Sequence, residues 1–213
     1  MFTAAIFDMD GLLLDSERVI MRAWCESAAE AGMDLSQADF IKVVGASASE
    51  SRTRLSQMLG GGKQFEAVRS RAQSRLLAQS ALGFPLKPGA LRLLSLLQER
   101  RVPCAVASST GVSEVRRRLA KAGMLDFFKA IAGGDEVRDA KPDPAVYLLA
   151  AERLGVAPAQ CLAFEDTDHG ARAAHAAGIP VIVIPDLRAH DFSAAFMHLA
   201  SLEHAFEHLD RWF

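Results

Sequence analysis

The stretch "AAIFDMDGLLLDSE", residues 4–17, begins as an apolar strand and ends in acidic residues. Side chains alternate along a strand, so Asp8 and Asp10 point to the same face if the strand predicted over residues 4–10 persists to Gly11. Two neighbouring carboxylates repel each other, and such a pair needs a cation, a proton or water. The structural alternative is a strand that ends in solvent, with the two acids capping a turn around Gly11.

From residue 82 onward, segments with helical spacing of apolar residues alternate with short apolar strands. This alternation predicts an α/β fold: a Rossmann-like parallel sheet with right-handed crossovers and helices on both faces. Such a sheet carries its chemistry at the carboxyl ends of its strands. After the first strand, the predicted strands are "VPCAVASS" (102–109), "AIAGG" (130–134), "CLAFED" (161–166) and "PVIVIP" (180–185).

Residues 15–81 break this alternation, because they have helical patterns and no convincing strand. We therefore predict a core domain made of residues 1–14 and 82–213, with a small helical cap domain inserted over residues 15–81. The segment "GFPLKPG" (83–89) is the predicted return linker, since its prolines and glycines disfavour regular structure. The "GGGK" at 60–63 lacks the earlier glycine and the following Ser or Thr of a P-loop, and we interpret it as a turn.

Composition narrows the classes of function. The 213 residues carry a formal net charge of −2, which gives no general reason to expect nucleic-acid or anionic-membrane binding. The three widely spaced cysteines favour a reducing compartment over a disulfide framework. The N-terminus lacks a basic stretch, and no apolar run approaches the ~20 residues of a membrane span. We expect a cytoplasmic monomer, and a solvated helix face at residues 116–118.

Polar residues follow four of the predicted strands, at the points where the strands end. Each has a structural alternative, such as a helix cap or a first-turn acid, but together they converge on one edge of one sheet. Several carboxylates with free oxygens suit Mg²⁺, while a hydroxyl, helix-start amides and a lysine suit a dianion. This combination is typical of phosphoryl transfer. The residues are Asp8, Asp10, Ser108, Ser109, Thr110, Lys141, Glu165 and Asp166.

Four segments carry a family resemblance that extends over essentially the whole chain. In order along the sequence, they are "FDMDGLLLDSE", "VASSTG", "AKPDP" and "FEDTDHGARAAHAAG". They resemble the four motifs of the haloacid-dehalogenase-like superfamily, in its phosphatase branch with a helical cap after the first strand. The resemblance implies a Mg²⁺-dependent phosphatase that hydrolyses a small phosphomonoester, such as a sugar phosphate or a nucleotide-like metabolite, through an aspartyl-phosphate.

The resemblance also implies a role for each motif residue. Asp8 is the implied nucleophile, and Asp10 the general acid that protonates the leaving alcohol and then accepts a proton from water. Lys141 is implied to neutralise charge shared between the phosphate and Asp8. Two further sets are implied: Ser108, Ser109 and Lys141 for the phosphate, and Asp8, the backbone carbonyl of Asp10, Asp166 and an assisting Glu165 for Mg²⁺.

Two other functions remain open. A sugar-phosphate mutase of the β-phosphoglucomutase type shares the motifs, but it places a histidine and basic residues where this chain has Ile20, Val44 and Ala48. A non-catalytic binding or regulatory domain would normally have lost one of the acids or the lysine. We therefore predict a hydrolase acting on a small phosphorylated metabolite, and we interpret Arg52 and Arg54 as solvated helix residues.

Overall fold

The molecule is built around a parallel β-sheet, seen in a computed structural model that describes residues 1–45, 48–189 and 192–213. Within these residues the sheet has six strands in the order β3-β2-β1-β4-β5-β6, all parallel. The predicted α/β fold and all five predicted strands are confirmed. The sixth strand has only two residues and was missed. The strands are β1 (Ala4–Phe7), β2 (Cys104–Ala107), β3 (Phe128–Ala132), β4 (Cys161–Glu165), β5 (Val181–Val183) and β6 (Met197–His198).

Helices cover both faces of this sheet, as the buried apolar strands require. They are α5 (Ala90–Glu99), α6 (Val112–Lys121), α7 (Ala145–Leu154), α8 (Asp168–Ala176) and α9 (Leu209–Trp212). Alternate residues of β1 enter different apolar clusters. Phe7 lies with residues of α5, α6 and α9, while Ile6 lies with residues of α7 and α8. The second cluster is rich in alanine, which allows α7 and α8 to pack close to the strands.

The segment between β1 and α5 is helical and has an apolar cluster of its own. Its helices are α1 (Ser16–Glu30), α2 (Gln37–Ile41), α3 (Ala48–Met58) and α4 (Gly62–Leu82). Trp24 of α1 stacks on Phe65 of α4, with ring centroids 6.0 Å apart. Leu55, Leu59 and Phe65 are buried in this cluster. We call residues 15–81 the helical segment; its status as a separate inserted domain stays a prediction.

The first strand is shorter than predicted, and this changes the argument about Asp8 and Asp10. Strand β1 ends at Phe7, so the alternation of side chains does not extend to the two acids. Gly11 follows with φ +85°, a left-handed conformation that glycine adopts without strain. The strand predicted over residues 4–10 is therefore three residues too long, and the condition for the alternation argument is not met.

Three other features complete the fold. Cys104 and Cys161 are buried, Cys25 is half-buried, and all three are free thiols. The chain after β5 contains β6 and a 3₁₀ helix at Leu202–His208 before α9. Among the described residues, no helix combines the length and the apolar character needed to cross a bilayer.

Candidate active site

A cavity of about 640 Å³ lies between the carboxyl edge of the sheet and the helical segment. It is lined by most of the predicted site residues, which the ends of β1 and β2 and the loops after β3 and β4 deliver: Asp8, Asp10, Ser108, Ser109, Lys141 and Asp166. Glu165 is fully buried. The side of the helical segment contributes Ile20, Trp24, Arg52 and Arg69. A cleft of this size, with apolar walls and a few convergent polar groups, is a typical site for a small ligand.

Lys141 ties two acids together at the base of the cavity. Its Nζ donates to Asp8 Oδ1 at 2.7 Å, to Glu165 Oε1 at 2.6 Å and to the carbonyl oxygen of Ala107 at 3.0 Å. Burial lowers the pKa of Lys141, but the facing carboxylates of Asp8 and Glu165 raise it above its ordinary value. The lysine is therefore a permanent cation, with its charge directed at Asp8.

Glu165 uses both of its carboxylate oxygens in hydrogen bonds within the protein. Besides Lys141, Oε1 accepts from the hydroxyl of Tyr147 at 2.9 Å. Oε2 accepts from the backbone N–H groups of Asp166 and Thr167, at 3.0 and 3.1 Å. Burial raises the pKa of Glu165, but Lys141 lowers it, and the net pKa lies below its ordinary value. Glu165 is thus an ionised anchor for the loop after β4.

Gly170 makes room for this anchor. A Cβ atom at position 170 would lie 1.7 Å from Glu165 Oε1. Glycine is therefore required at the start of α8, where Thr167 also caps the helix by accepting a hydrogen bond from the N–H of Gly170.

Asp166 differs from Glu165, because one of its oxygens has no partner. Oδ1 is buried and accepts no hydrogen bond. The other oxygen, Oδ2, approaches the backbone of Gly11 so closely that a Cβ there would lie 2.0 Å from it. Burial and the neighbouring Glu165 and Asp8 raise the pKa of Asp166 well above its ordinary value. A buried acid with an unsatisfied oxygen requires a proton or a cation.

The three acids together fit a divalent cation. One oxygen each from Asp8, Glu165 and Asp166 lies within 4.8 Å of the others. Burial raises the pKa of Asp8 to about 7, although Lys141 acts to lower it. Three carboxylates around a single lysine leave excess negative charge, and a purely oxygen donor set suits Mg²⁺ better than Zn²⁺.

The residues after β2 form a small polar cradle. Ser108 is buried, and its Oγ accepts a hydrogen bond from the N–H of Thr110 at 3.1 Å. Ser109 is exposed to the cavity. Both serines lie between the end of β2 and the start of α6. A hydroxyl next to a helix start is a suitable place for an anion.

Asp10 lies apart from the three-acid cluster. Its Oδ1 accepts from Arg118 Nη1 at 2.6 Å, and its Oδ2 accepts from Thr110 Oγ1 at 2.9 Å. The prediction of a solvated face at residues 116–118 holds for the exposed Arg116 but is wrong for Arg118, whose side chain is only 17% exposed. A signal was available, since Arg118 lies three residues after the buried Val115 and so borders the apolar stripe of α6.

Glu17 is a second group that the sequence argument missed. It lies in α1, lines the cavity, and faces Asp10. Burial, with Asp10 and Asp186 nearby, raises the pKa of Glu17 to about 7. Of the positions that distinguish a mutase, Ile20 and Val44 line the cavity, whereas the side chain of Ala48 lies outside the described part of the structure. Arg52 pairs with Glu66 at 2.9 Å and is largely exposed, as interpreted.

The fold and the site together define a class: enzymes that place an acid cluster and an anion cradle at the carboxyl edge of a doubly wound parallel sheet. The haloacid dehalogenase-like hydrolase family matches residues 2–178. The chain belongs to this family and is a hydrolase. The family resemblance seen in the four motifs is thereby confirmed.

Similar proteins include both phosphatases and a mutase. The chain is 31% identical to the phosphorylated carbohydrates phosphatase of Thermotoga maritima over 83% of its own length and 82% of the relative's. It is 32% identical to hexitol phosphatase B of Escherichia coli K12, over 93% and 92%. A crystal structure of β-phosphoglucomutase from Clostridium difficile has a TM-score of 0.79 at 21% identity, covering 100% and 97% of the two chains. That likeness concerns the fold alone.

Proposed function

We propose that this protein is a Mg²⁺-dependent phosphatase that hydrolyses a small sugar phosphate through an aspartyl-phosphate. The observation that carries the proposal is the Asp8 carboxylate in the cavity lining, held by Lys141 beside two further acids. The names of the two phosphatase relatives support a phosphorylated carbohydrate as the substrate class. The cavity volume of about 640 Å³ suits a small metabolite.

In the first step, an Asp8 oxygen attacks the phosphorus atom in line with the leaving alcohol. A P–O bond to Asp8 forms and the ester P–O bond breaks, while Asp10 gives its proton to the departing oxygen. In the second step, water attacks the phosphorus and transfers a proton to Asp10. The bond to Asp8 breaks, and inorganic phosphate and the free carboxylate are released.

The phosphate is held by groups whose placement follows from the loops. Lys141 Nζ, already 2.7 Å from Asp8 Oδ1, offers its charge to the oxygens of the transferring group. The Ser108 hydroxyl and the backbone of Ser109, which line the same cavity, offer further hydrogen bonds. These donors are fixed before substrate arrives, because Lys141 and Ser108 are buried in a packed sheet edge.

The acid cluster is the proposed site of Mg²⁺. Asp8 and Asp166 are the side-chain ligands, since Asp166 Oδ1 has no other partner, and the backbone carbonyl of Asp10 completes the protein's share. Glu165 assists through water, because both of its oxygens already accept hydrogen bonds. When bound, the metal offsets the repulsion between Asp8 and a phosphate dianion.

The mutase alternative is disfavoured by the aliphatic side chain of Ile20, which lines the cavity from the first helix of the helical segment. A mutase protects its aspartyl-phosphate from water until a sugar phosphate arrives, and an imidazole or basic side chain in the first helix of the segment can report that arrival. Ile20 occupies this place, and an aliphatic side chain donates no hydrogen bond.

The deciding experiment measures phosphate release from a panel of sugar phosphates with Mg²⁺, alongside NMR of a β-glucose 1-phosphate reaction. We expect multiple turnovers of phosphate release without a bisphosphate activator, and no glucose 6-phosphate. Isomerisation faster than phosphate release would overturn the hydrolase and restore the mutase. No phosphate release from any member of the panel would remove the phosphatase proposal altogether.

A further inference from the structure

Asp10 is held in place by a single arginine that no motif of the site includes. Arg118 Nη1 donates to Asp10 Oδ1 at 2.6 Å, and Thr110 Oγ1 donates to Asp10 Oδ2 at 2.9 Å. Both oxygens are therefore fixed by donors on the side of α6. The Asp10 side chain is 19% exposed and the Arg118 side chain 17%, so the pair is shielded from most of the screening that weakens surface ion pairs.

The arginine is itself held from two directions. Its Nε donates to Glu114 Oε1 at 2.7 Å, and its guanidinium carbon lies 4.8 Å from the centre of the Phe84 ring. An arginine that is paired with a carboxylate and stacked on an aromatic ring keeps one orientation. Arg118 therefore presents Nη1 to Asp10 in a fixed direction.

The support for this arginine comes from the junction with the helical segment. Glu114 accepts hydrogen bonds from Ser80 Oγ at 3.0 Å and from Arg117 Nε at 2.8 Å. Arg117 Nη1 also donates to the carbonyl oxygen of Ser80 at 2.7 Å. Burial raises the pKa of Glu114, but Arg117, Arg118 and Ser80 lower it to about 2, so it stays ionised. Ser80 lies in the last turn of α4, so the chain of contacts runs from the helical segment to Asp10.

We propose that Arg118 is the positioning residue of Asp10: held by Glu114 and Phe84, it fixes the Asp10 carboxylate where it accepts the proton of the attacking water. This inference rests on the proposed phosphatase function. Arg118 and Thr110 both donate to the Asp10 carboxylate, so they orient it as a hydrogen-bond acceptor, which is its role when the attacking water gives up a proton. The arginine therefore acts on the second step, hydrolysis of the aspartyl-phosphate, more than on the first.

The test measures that second step directly. The enzyme is labelled by ³²P-p-nitrophenyl phosphate with Mg²⁺, chased with unlabelled substrate and quenched in acid, and the decay of protein-bound label is followed. In Arg118→Met we expect decay about 10- to 100-fold slower than in wild type, with kcat and KM falling together. The value of kcat/KM should change by less than about twofold, because an aryl leaving group needs little help from an acid.

Two variants control for folding and for charge. Arg118→Lys keeps the positive charge but loses the planar guanidinium group. Its protein-bound label should decay at a rate between those of wild type and Arg118→Met. Arg116→Met also removes one arginine from α6, but at an exposed position, and its protein-bound label should decay at the wild-type rate. Wild-type decay in a folded Arg118→Lys or Arg118→Met protein overturns the inference, as does a fall in kcat/KM with KM unchanged. If the wild-type protein neither takes up label nor releases phosphate, the proposed function itself has failed.

Discussion

Lys141 Nζ lies 2.7 Å from Asp8 Oδ1 and 2.6 Å from Glu165 Oε1, although the three residues belong to three different segments of the chain. One cation thus serves two buried acids, and Asp166 beside them has none. Burial raises the pKa of Asp8 to about 7, although Lys141 acts to lower it, and the two facing acids keep Lys141 charged. The negative charge of the acids is balanced only when a further cation binds.

Replacing the proposed nucleophile should abolish turnover without unfolding the protein. We expect Asp8→Asn to lose at least about 10³-fold in kcat/KM and to take up no acid-stable label, since an amide does not attack phosphorus. Asp34→Asn, at an exposed position outside the cavity lining, is the matched control and should keep wild-type activity. Substantial turnover by a folded Asp8→Asn protein would exclude Asp8 as the nucleophile.

Asp166 and Glu165 should respond differently to loss of charge. Asp166→Asn should raise the Mg²⁺ concentration needed for half-maximal activity and should stabilise the metal-free protein, because it removes an unsatisfied buried acid. Glu165→Gln should instead cost about 1–3 kcal/mol of unfolding free energy, since it disrupts hydrogen bonds with Lys141 and the loop amides. Mg²⁺ titrations and thermal melts separate the two, and the reverse pattern would exchange the assigned roles.

Binding of Mg²⁺ should release protons and strengthen as the pH rises to about 7. The ligands must be ionised, and the raised pKa values of Asp8, at about 7, and Asp166 mean that protons compete with the metal at lower pH. Below pH 7, we expect the apparent affinity for Mg²⁺ to fall by up to about tenfold per pH unit for each proton that binding displaces. Calorimetry in buffers of different ionisation enthalpy at pH 6.5 counts the protons; none released would contradict the acid cluster as the metal site.

Glu17 should make the metal-free protein less stable as the pH rises. Its pKa is raised, chiefly by burial, from 4.5 to about 7, so between these values the folded state holds a proton that the unfolded state has lost. The contribution of Glu17 to stability therefore falls from about pH 4.5 to pH 7 and is then constant. In chelator, Glu17→Gln should gain about 1–2 kcal/mol relative to wild type between pH 5 and pH 8, a figure reduced for partial exposure. A difference in Tm that does not change with pH would contradict the buried, protonated Glu17.

The α/β class, the five longer strands and the edge of the sheet where Asp8, Ser108, Lys141 and Asp166 meet are all predictable from the sequence. These follow from local patterns, because apolar strands alternating with amphipathic helices form a parallel sheet, and parallel strands end at a common edge. The direction of the Asp10 side chain was decided only by tertiary structure. Strand β1 ends at Phe7, so strand alternation does not orient Asp10. Its carboxylate is oriented by the hydrogen bond from Arg118, 108 residues away in the sequence. Contacts between groups so distant in sequence depend on how helices pack against the sheet, and the periodicity of apolar residues does not predict them.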